Sequence, residues 1–413
     1  MALIQASIEQ LRIGHYVHLP VGWQQHPFLF NAFKIKDQQQ LDIIRHLDLA
    51  LLTVDTDKSD LPLAPLLQGE EQAASPPSSH ISSPSPATSE TAPFDDKAWR
   101  RSLRSADKAF GQSMSDLREA LGSLNLKPDE GLANVAQLVR DVAARLREHH
   151  GPLGLHLIRS AHSDILLQHS LNIAFIAMLM ARELEMTPLD IEEAGLAGLV
   201  HDIGELKVPS QISQKRGELT RAEQNYLNMH PQYGLEMLNH WQAFEPRIRQ
   251  VAHLHHERLD GSGFPLGIKG GEIPPLARLI GLVDYFDELL HPRGASQPIA
   301  PNQAISQLYK LSQKKFEQPL VKLLIKLLGV YPPGSMVQLS DGNLALVIST
   351  EPTQPLKPKI LPYVKGQRSE GVTLIDLRED ERSITASVKP EELDDAQRHF
   401  FNLGRRFCYY FAF

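Results

Sequence analysis

Leu199-Val200-His201-Asp202-Ile203-Gly204 sets an imidazole and a carboxylate side by side in a stretch that is otherwise apolar and helical in pattern. A buried carboxylate without a partner is costly, so this pair calls for a cation or a strong hydrogen-bond network. Further along, Leu254-His255-His256-Glu257 makes a second polar knot after an apolar approach, and His169, His230 and Asp284 each follow or sit inside a helical apolar run. One histidine in such a place is ordinarily a satisfied core residue. Grouped across one helical region, these residues point instead to a metal centre. Imidazole and carboxylate without thiolate suit iron, manganese or zinc, whereas calcium and magnesium want oxygen-only shells. A carboxylate such as Asp202 can bridge two ions, and two metals roughly 3.5–4 Å apart can activate a water against phosphorus and steady the leaving oxygen.

Around this region the chain changes character three times. Residues 1–67 mix short apolar runs with Gly, Pro and aromatic punctuation; Tyr16-Val17-His18-Leu19 and Leu51-Leu52-Thr53-Val54 read as strands and Gln38 to Leu49 as a short helix, a small α+β module. Residues 68–96 are rich in Ser, Pro, Ala and Glu and cannot bury enough apolar surface to offset their ordering entropy, so they read as a disordered linker. Residues 97–330 are helical, with starts marked by Thr187-Pro188-Leu189-Asp190 and by the capping box Thr220-Arg221-Ala222-Glu223. Residues 331–413 are β-rich: Met336 to Leu339, Asp341-Gly342 and Leu344 to Ile348 read as a hairpin, and the aromatic stretch Phe400 to Phe413 as a packed end. The expected fold is multidomain and mainly α: an all-α helical domain, a small α+β N-terminal module and a small β-rich C-terminal module.

Composition narrows the function. With 42 basic and 49 acidic residues the formal net charge is −7, which argues against a dedicated DNA binder but leaves room for a small anionic ligand held by local cations or metals. Cys408 is the single cysteine, so there is no intrachain disulfide and no thiolate cage, and a cytoplasmic setting is the simplest expectation. The run Ile173 to Ala181 is far shorter than the roughly 20 residues that span a bilayer, so it reads as a buried core helix and no membrane partner is expected. The lysines of Lys310 to Lys326 read as the solvated face of an amphipathic helix.

Residues 169–293 resemble the HD-GYP subgroup of the HD phosphohydrolase superfamily. The likeness is carried by His169-Ser170, His201-Asp202-Ile203-Gly204, His230-Pro231-Gln232-Tyr233-Gly234 and the run His255 to Pro265, followed by Gly267, Gly270, Ile273-Pro274, Ala277-Arg278-Leu279 and Asp284-Tyr285-Phe286-Asp287. It implies an all-α domain that hydrolyses cyclic di-GMP to pGpG or GMP. It also implies that His169, His201, Asp202, His230, His255, His256 and Asp284 are the metal ligands, with His201 and Asp202 at the heart of catalysis. Residues 4 to about 60, through Gln10 to Val17 and Gly22 to Phe28, resemble a domain of unknown function often found ahead of HD-GYP domains.

Four departures from the family pattern bear on activity. Glu205 stands where a phosphate-facing lysine is usual, and Lys207, two residues on, points to a different face. A solvated or salt-bridged Glu205, with Arg258 as one partner, is the expectation. Ile165 replaces the glutamate that holds a third metal in some members, so two divalent ions, iron or manganese, are expected. Gly263-Phe264-Pro265 replaces Gly-Tyr-Pro and keeps the aromatic face. Arg293-Gly294-Ala295-Ser296 keeps one of two arginines. Arg258, Phe264 and Arg293 are the expected contacts to substrate, cyclic di-GMP or pGpG. The competing reading is a cyclic di-GMP sensor or scaffold that docks diguanylate cyclases through the Gly263-Phe264-Pro265 loop, which Glu205 and Ser296 favour; an HD-type hydrolase of another nucleotide is the third. A homo-oligomer is compatible with all three.

Overall fold

Every residue from Leu167 to Ala181 is buried, which makes the helix Ile165–Glu183 the axis of the helical region. By length and composition it could cross a membrane, yet 83% of its apolar window is covered by the protein itself. It is a core helix, as the short apolar run indicated. The structure, a computed structural model, describes residues 3–20, 32–35, 38–45, 51–62, 95–124, 126–159, 164–215, 217–292, 298–351, 353–403 and 406–411. Most of the segment read as a linker, together with Arg293 and Ser296, lies outside the described residues.

The chain divides into two units, residues 1–94 with 184–187, and residues 95–183 with 188–413. The first holds an antiparallel sheet in the order Leu3–Ala6, Leu52–Asp55, Tyr16–His18, Ala32–Lys34, together with the helix Gln38–Arg45. Alternating inward residues Val17, Leu52 and Val54 join Ile35, Leu41 and Ile44 in its core.

In the second unit two long helices, Asp96–Ser123 and Pro128–Glu148, lead into the strand Leu155–Ile158 and the core helix. The helices Pro188–Val200, His230–His240, Pro246–Leu254 and Pro275–Leu290 follow, and each begins with a proline at the first or second helical position or, in the case of Pro188, at its first residue. Proline there costs nothing because the missing N–H has no intrahelical acceptor. The capping box at Thr220 is formed: the Glu223 N–H donates to the Thr220 hydroxyl at 3.3 Å and the Thr220 N–H to the Glu223 carboxylate at 2.7 Å.

Mainly helical, with an N-terminal sheet module and a C-terminal sheet, the architecture is the expected one, but the helical stretch is interrupted. Leu155–Ile158, read as part of a helical region, is a strand of a seven-stranded sheet, lying between two others on the path Ile384–Ser387, Met336–Leu339, Leu344–Ser349, Leu155–Ile158, Cys408–Phe411. Four apolar or aromatic residues do not carry a period, and this strand's partners lie far away in sequence: Leu157 faces Tyr409, and His156 faces both Tyr410 and Ser349. The hairpin Met336–Leu339 with Leu344–Ser349 is present. Tyr409, Tyr410 and Phe411 are fully buried, so the aromatic segment is packed on the core.

Candidate metal centre

The local folding of the centre follows from where helices stop. Pro188–Val200 ends at the polar pair, and Asp202 then opens a short 3-10 helix, Ile203–Lys207. Two glycines allow the close approach this needs: a Cβ on Gly198 would strike the backbone of Ala174 in the core helix, and one on Gly204 would strike the carbonyl of His230. His169 projects from the core helix, His230 opens the helix His230–His240, His255 caps the helix Pro246–Leu254 with His256 next to it, and Asp284 comes from the middle of Pro275–Leu290. All seven expected ligands are buried, none more than 8% exposed. The structure brings all seven together.

Asp202 organises them. Its Oδ2 lies 3.6 Å from Nε2 of both His169 and His201, while its Oδ1 lies 3.2 Å from His230 Nε2 and 3.3 Å from His255 Nε2. Asp284 Oδ1 closes the first group, 3.2 Å from His169 Nε2 and 3.8 Å from His201 Nε2. His256 closes the second, its Nε2 3.1 Å from that of His230. Two clusters of four ligands thus share one carboxylate.

The arrangement fits divalent ions on chemical grounds. His201 Nδ1 donates to the Gly198 carbonyl at 2.8 Å, His230 Nδ1 to the Leu227 carbonyl at 2.8 Å, and His255 Nδ1 to the Val251 carbonyl at 3.2 Å. A carbonyl can only accept, so each of these rings carries its proton on Nδ1 and turns a lone pair inward from Nε2. His230 and His255 then face each other Nε2 to Nε2 at 3.3 Å, a repulsive contact unless a cation lies between the lone pairs. Protonation agrees in direction for the carboxylates and His256, whereas His230 is raised, Asp202 outweighing the effect of burial. Burial opposes the charge on Asp202, but the His201 and His230 imidazoles outweigh it and hold the carboxyl well below its usual range. Asp284 is lowered in the same way, against burial, by the neighbouring His169 and His201 imidazoles. Burial, then the neighbouring His255, holds His256 well below the usual imidazole range. His169 goes the other way: burial lowers it, but Asp284 and Asp287 together push it up to about 10, so an ion there displaces a firmly held proton.

Several partners were not legible in the sequence. Asp287 accepts from His169 Nδ1 at 2.7 Å and from Asn172 Nδ2 at 2.6 Å. It lies in the segment Asp284 to Asp287 that carries the family likeness, three residues from Asp284 on one helix, but no role was read for it. Glu257 is buried, and its Oε1 accepts the backbone N–H groups of Leu266 at 2.6 Å and Gly267 at 3.0 Å, pinning the loop that carries Phe264. Glu288, one turn beyond Asp284, forms a third candidate group with His256 and Asp284. Burial and the Asp284 charge push its carboxyl up to about 8.

The expected substrate contacts fare differently. Phe264 stacks on His256 with ring centroids 4.4 Å apart and 22° between planes, beside the second cluster. Arg258 is buried; its Nη1 donates to the carbonyls of His255 at 2.8 Å and Glu257 at 2.9 Å, and its guanidinium lies over Tyr285 and Phe316. So held, it braces the histidine loop. Glu205 is buried at 8% exposure, not solvated. Lys207 lines a cavity of about 700 Å³ bounded by Arg118, Glu236 and Trp241, and sits 3.7 Å from Glu236, so it does not take the place of the missing lysine.

The chain is similar to known proteins along most of its length. The HD domain family matches residues 155–320, and a domain of unknown function, DUF3391, matches residues 3–135. The chain is 29% identical over 373 residues to the Pseudomonas aeruginosa cyclic di-GMP phosphodiesterase PA4108, covering 88% of this chain and 86% of that protein. It is 36% identical over 152 residues to the Vibrio cholerae 3'3'-cGAMP-specific phosphodiesterase 3, covering 36% of this chain and 33% of that protein. Among solved structures, the HDG"Y"P protein Bd1817 of Bdellovibrio bacteriovorus matches 78% of this chain and 98% of its own at 13% identity, with a TM-score of 0.43.

Proposed function

The chain belongs to the HD-GYP family of HD phosphohydrolases, and from that premise we propose that it is a metal-dependent phosphodiesterase that hydrolyses cyclic di-GMP to pGpG or GMP. The observation that carries the reading is Asp202, which turns one oxygen to each cluster of histidines. His169, His201, Asp202 and Asp284 would hold one divalent ion, and Asp202, His230, His255 and His256 a second, iron or manganese by the donor set. Such ions supply the activated water and the positive charge that a phosphodiester cleavage needs. The chain's own part is to fix their spacing, since four imidazoles are locked through Nδ1 to backbone carbonyls or to Asp287. Phe264, held against His256 by the loop that Glu257 pins, offers a flat face for a guanine base. In this reading residues 97–330 carry the reaction, with residues 1–67 and 331–413 flanking them and 68–96 as a linker.

The experiment is anaerobically purified protein, loaded with Mn(II) or Fe(II) and offered cyclic di-GMP, with pGpG and GMP measured. Product above that of His201→Ala and Asp202→Ala supports the proposal, and none above that background defeats it. A buried Glu205, an anion where the family places a cation, favours a second reading: a domain that binds cyclic di-GMP without turnover and docks diguanylate cyclases. Tight binding without product selects it. A panel that includes 3'3'-cGAMP and linear pGpG separates cyclic di-GMP from other substrates.

A further inference from the structure

Past the HD domain match, which ends at residue 320, the chain returns to the metal centre. The strand Cys408–Phe411 pairs with Leu155–Ile158 in the run just before the core helix, and the Tyr409 N–H donates to Asn172 Oδ1 at 2.7 Å. Arg406, just ahead of the strand, places Nη2 2.6 Å from Asp287 Oδ2, the same oxygen that accepts from His169 Nδ1 at 2.7 Å. Asn172 Nδ2 fills the other oxygen at 2.6 Å. Asp287 is 1% exposed and the Arg406 side chain 17% exposed, so this ion pair is largely withdrawn from solvent. The Phe407 carbonyl accepts from His291 Nε2 at 2.9 Å and anchors the segment to the far end of the Asp287 helix.

We propose that Arg406 is a positioning residue for the metal centre: it fixes the Asp287 carboxylate, which in turn orients His169 toward the first ion. The proposal rests on the metal-centre reading above. The physical reason is geometric. A carboxylate with two donors on one oxygen and one on the other has a single orientation, and the ring it grips has one too. Without Arg406, Asp287 keeps only its Asn172 and His169 contacts, one on each oxygen, and holds the His169 ring less firmly. Partners of this kind are worth about 10- to 100-fold in metal affinity. The first group, His169, His201, Asp202 and Asp284, should feel the loss, while the group of Asp202, His230, His255 and His256 should not.

The test uses the full-length chain, titrated with Mn(II) against a competing chelator and followed by electron paramagnetic resonance. Arg406→Met should bind one ion as the parent does and the other about 10- to 100-fold more weakly. Its spectrum at intermediate loading should be that of an isolated Mn(II) ion in place of a spin-coupled pair. Arg406→Lys, which keeps a cationic donor, should recover most of the loss; Arg406→Gln gives the same comparison should the Met variant fail to fold. Unchanged uptake in these uncharged variants overturns the proposal, and so does equal weakening at both positions or no recovery by lysine. A parent chain that takes up no Mn(II) overturns this proposal and the metal-centre reading together. One that takes up Mn(II) yet leaves cyclic di-GMP intact overturns only the activity, and the Arg406 comparison still decides.

Discussion

Asp284 and Asp287, three residues apart on one helix, take opposite edges of the same imidazole: Asp284 Oδ1 lies 3.2 Å from His169 Nε2 and Asp287 Oδ2 2.7 Å from His169 Nδ1. In the proposed centre, one carboxylate would face the ion and the other the ring that would bind it. Asp287→Asn keeps the size and one acceptor but loses the charge, and should weaken metal binding at the His169 position by about 10- to 100-fold with little change at the other. Metal content after dialysis against a chelator measures this.

Asp202→Asn is expected to be worse than any single histidine change. Each oxygen of Asp202 faces a different pair of imidazoles, so its loss touches both clusters. Metal content should fall at both positions and phosphodiesterase activity to that of metal-free protein, whereas His230→Ala should spare the ion beside His169 and His201. Metal analysis showing one ion retained in Asp202→Asn would contradict the bridging role.

Arg258 gives a clean discrimination between bracing and substrate contact. Arg258→Met removes donors to two buried carbonyls, so unfolding should become easier by about 1.5–3 kcal/mol. KM for the dinucleotide should stay near the parent value. A large rise in KM without loss of thermal stability would return Arg258 to the substrate side.

Metal uptake should strengthen with pH. His169 is pushed up to about 10 by Asp284 and Asp287 against the effect of burial, so around neutral pH the ion must displace a proton. Raising pH makes that displacement easier, so apparent affinity at this position should rise about tenfold per pH unit for one proton released, levelling off as pH passes the folded value. Calorimetry in buffers of different ionisation heat counts the protons. No proton release near neutrality would refute this assignment.

Cys408, the single cysteine, is buried in the last strand, and burial pushes its thiol up to about 12. A thiol reagent should leave the native chain unmodified and label it stoichiometrically once unfolded. Rapid labelling of the native protein would mean that this strand is not seated beside Leu155–Ile158.

The parts of the site that the sequence disclosed and those it withheld differ in kind. His169, His201, Asp202, His230, His255, His256 and Asp284 were legible because imidazoles and carboxylates are conspicuous against apolar helices and come in a fixed order. Their supports are ordinary residues. Arg406 has nothing in its neighbourhood that separates it from surface polar residues, and it meets Asp287 from 119 positions away; Asn172 and Glu257 stand beside conspicuous residues, but nothing local shows what they hold. Arg258 shows a related difficulty: an arginine beside a metal motif suggests a phosphate, and the sequence does not disclose that Tyr285, Phe316 and two backbone carbonyls also engage it. The strand Leu155–Ile158 escaped because only its distant partners make it one.

That strand has a consequence for how the protein is made. Its neighbours on the two sides are Leu344–Ser349 and Cys408–Phe411, so it stays unpaired on the ribosome long after the histidine helices have emerged. Tyr409 is 237 residues downstream of Asn172, and at ordinary synthesis rates that is a delay on the order of 10 to 50 s. During that interval the nascent chain already holds most of its metal ligands but not the clasp behind His169. An ion captured then would sit in a looser site than the finished one. On the proposed reading, the His169 position reaches its full grip on an ion only once Arg406 and Cys408–Phe411 are seated.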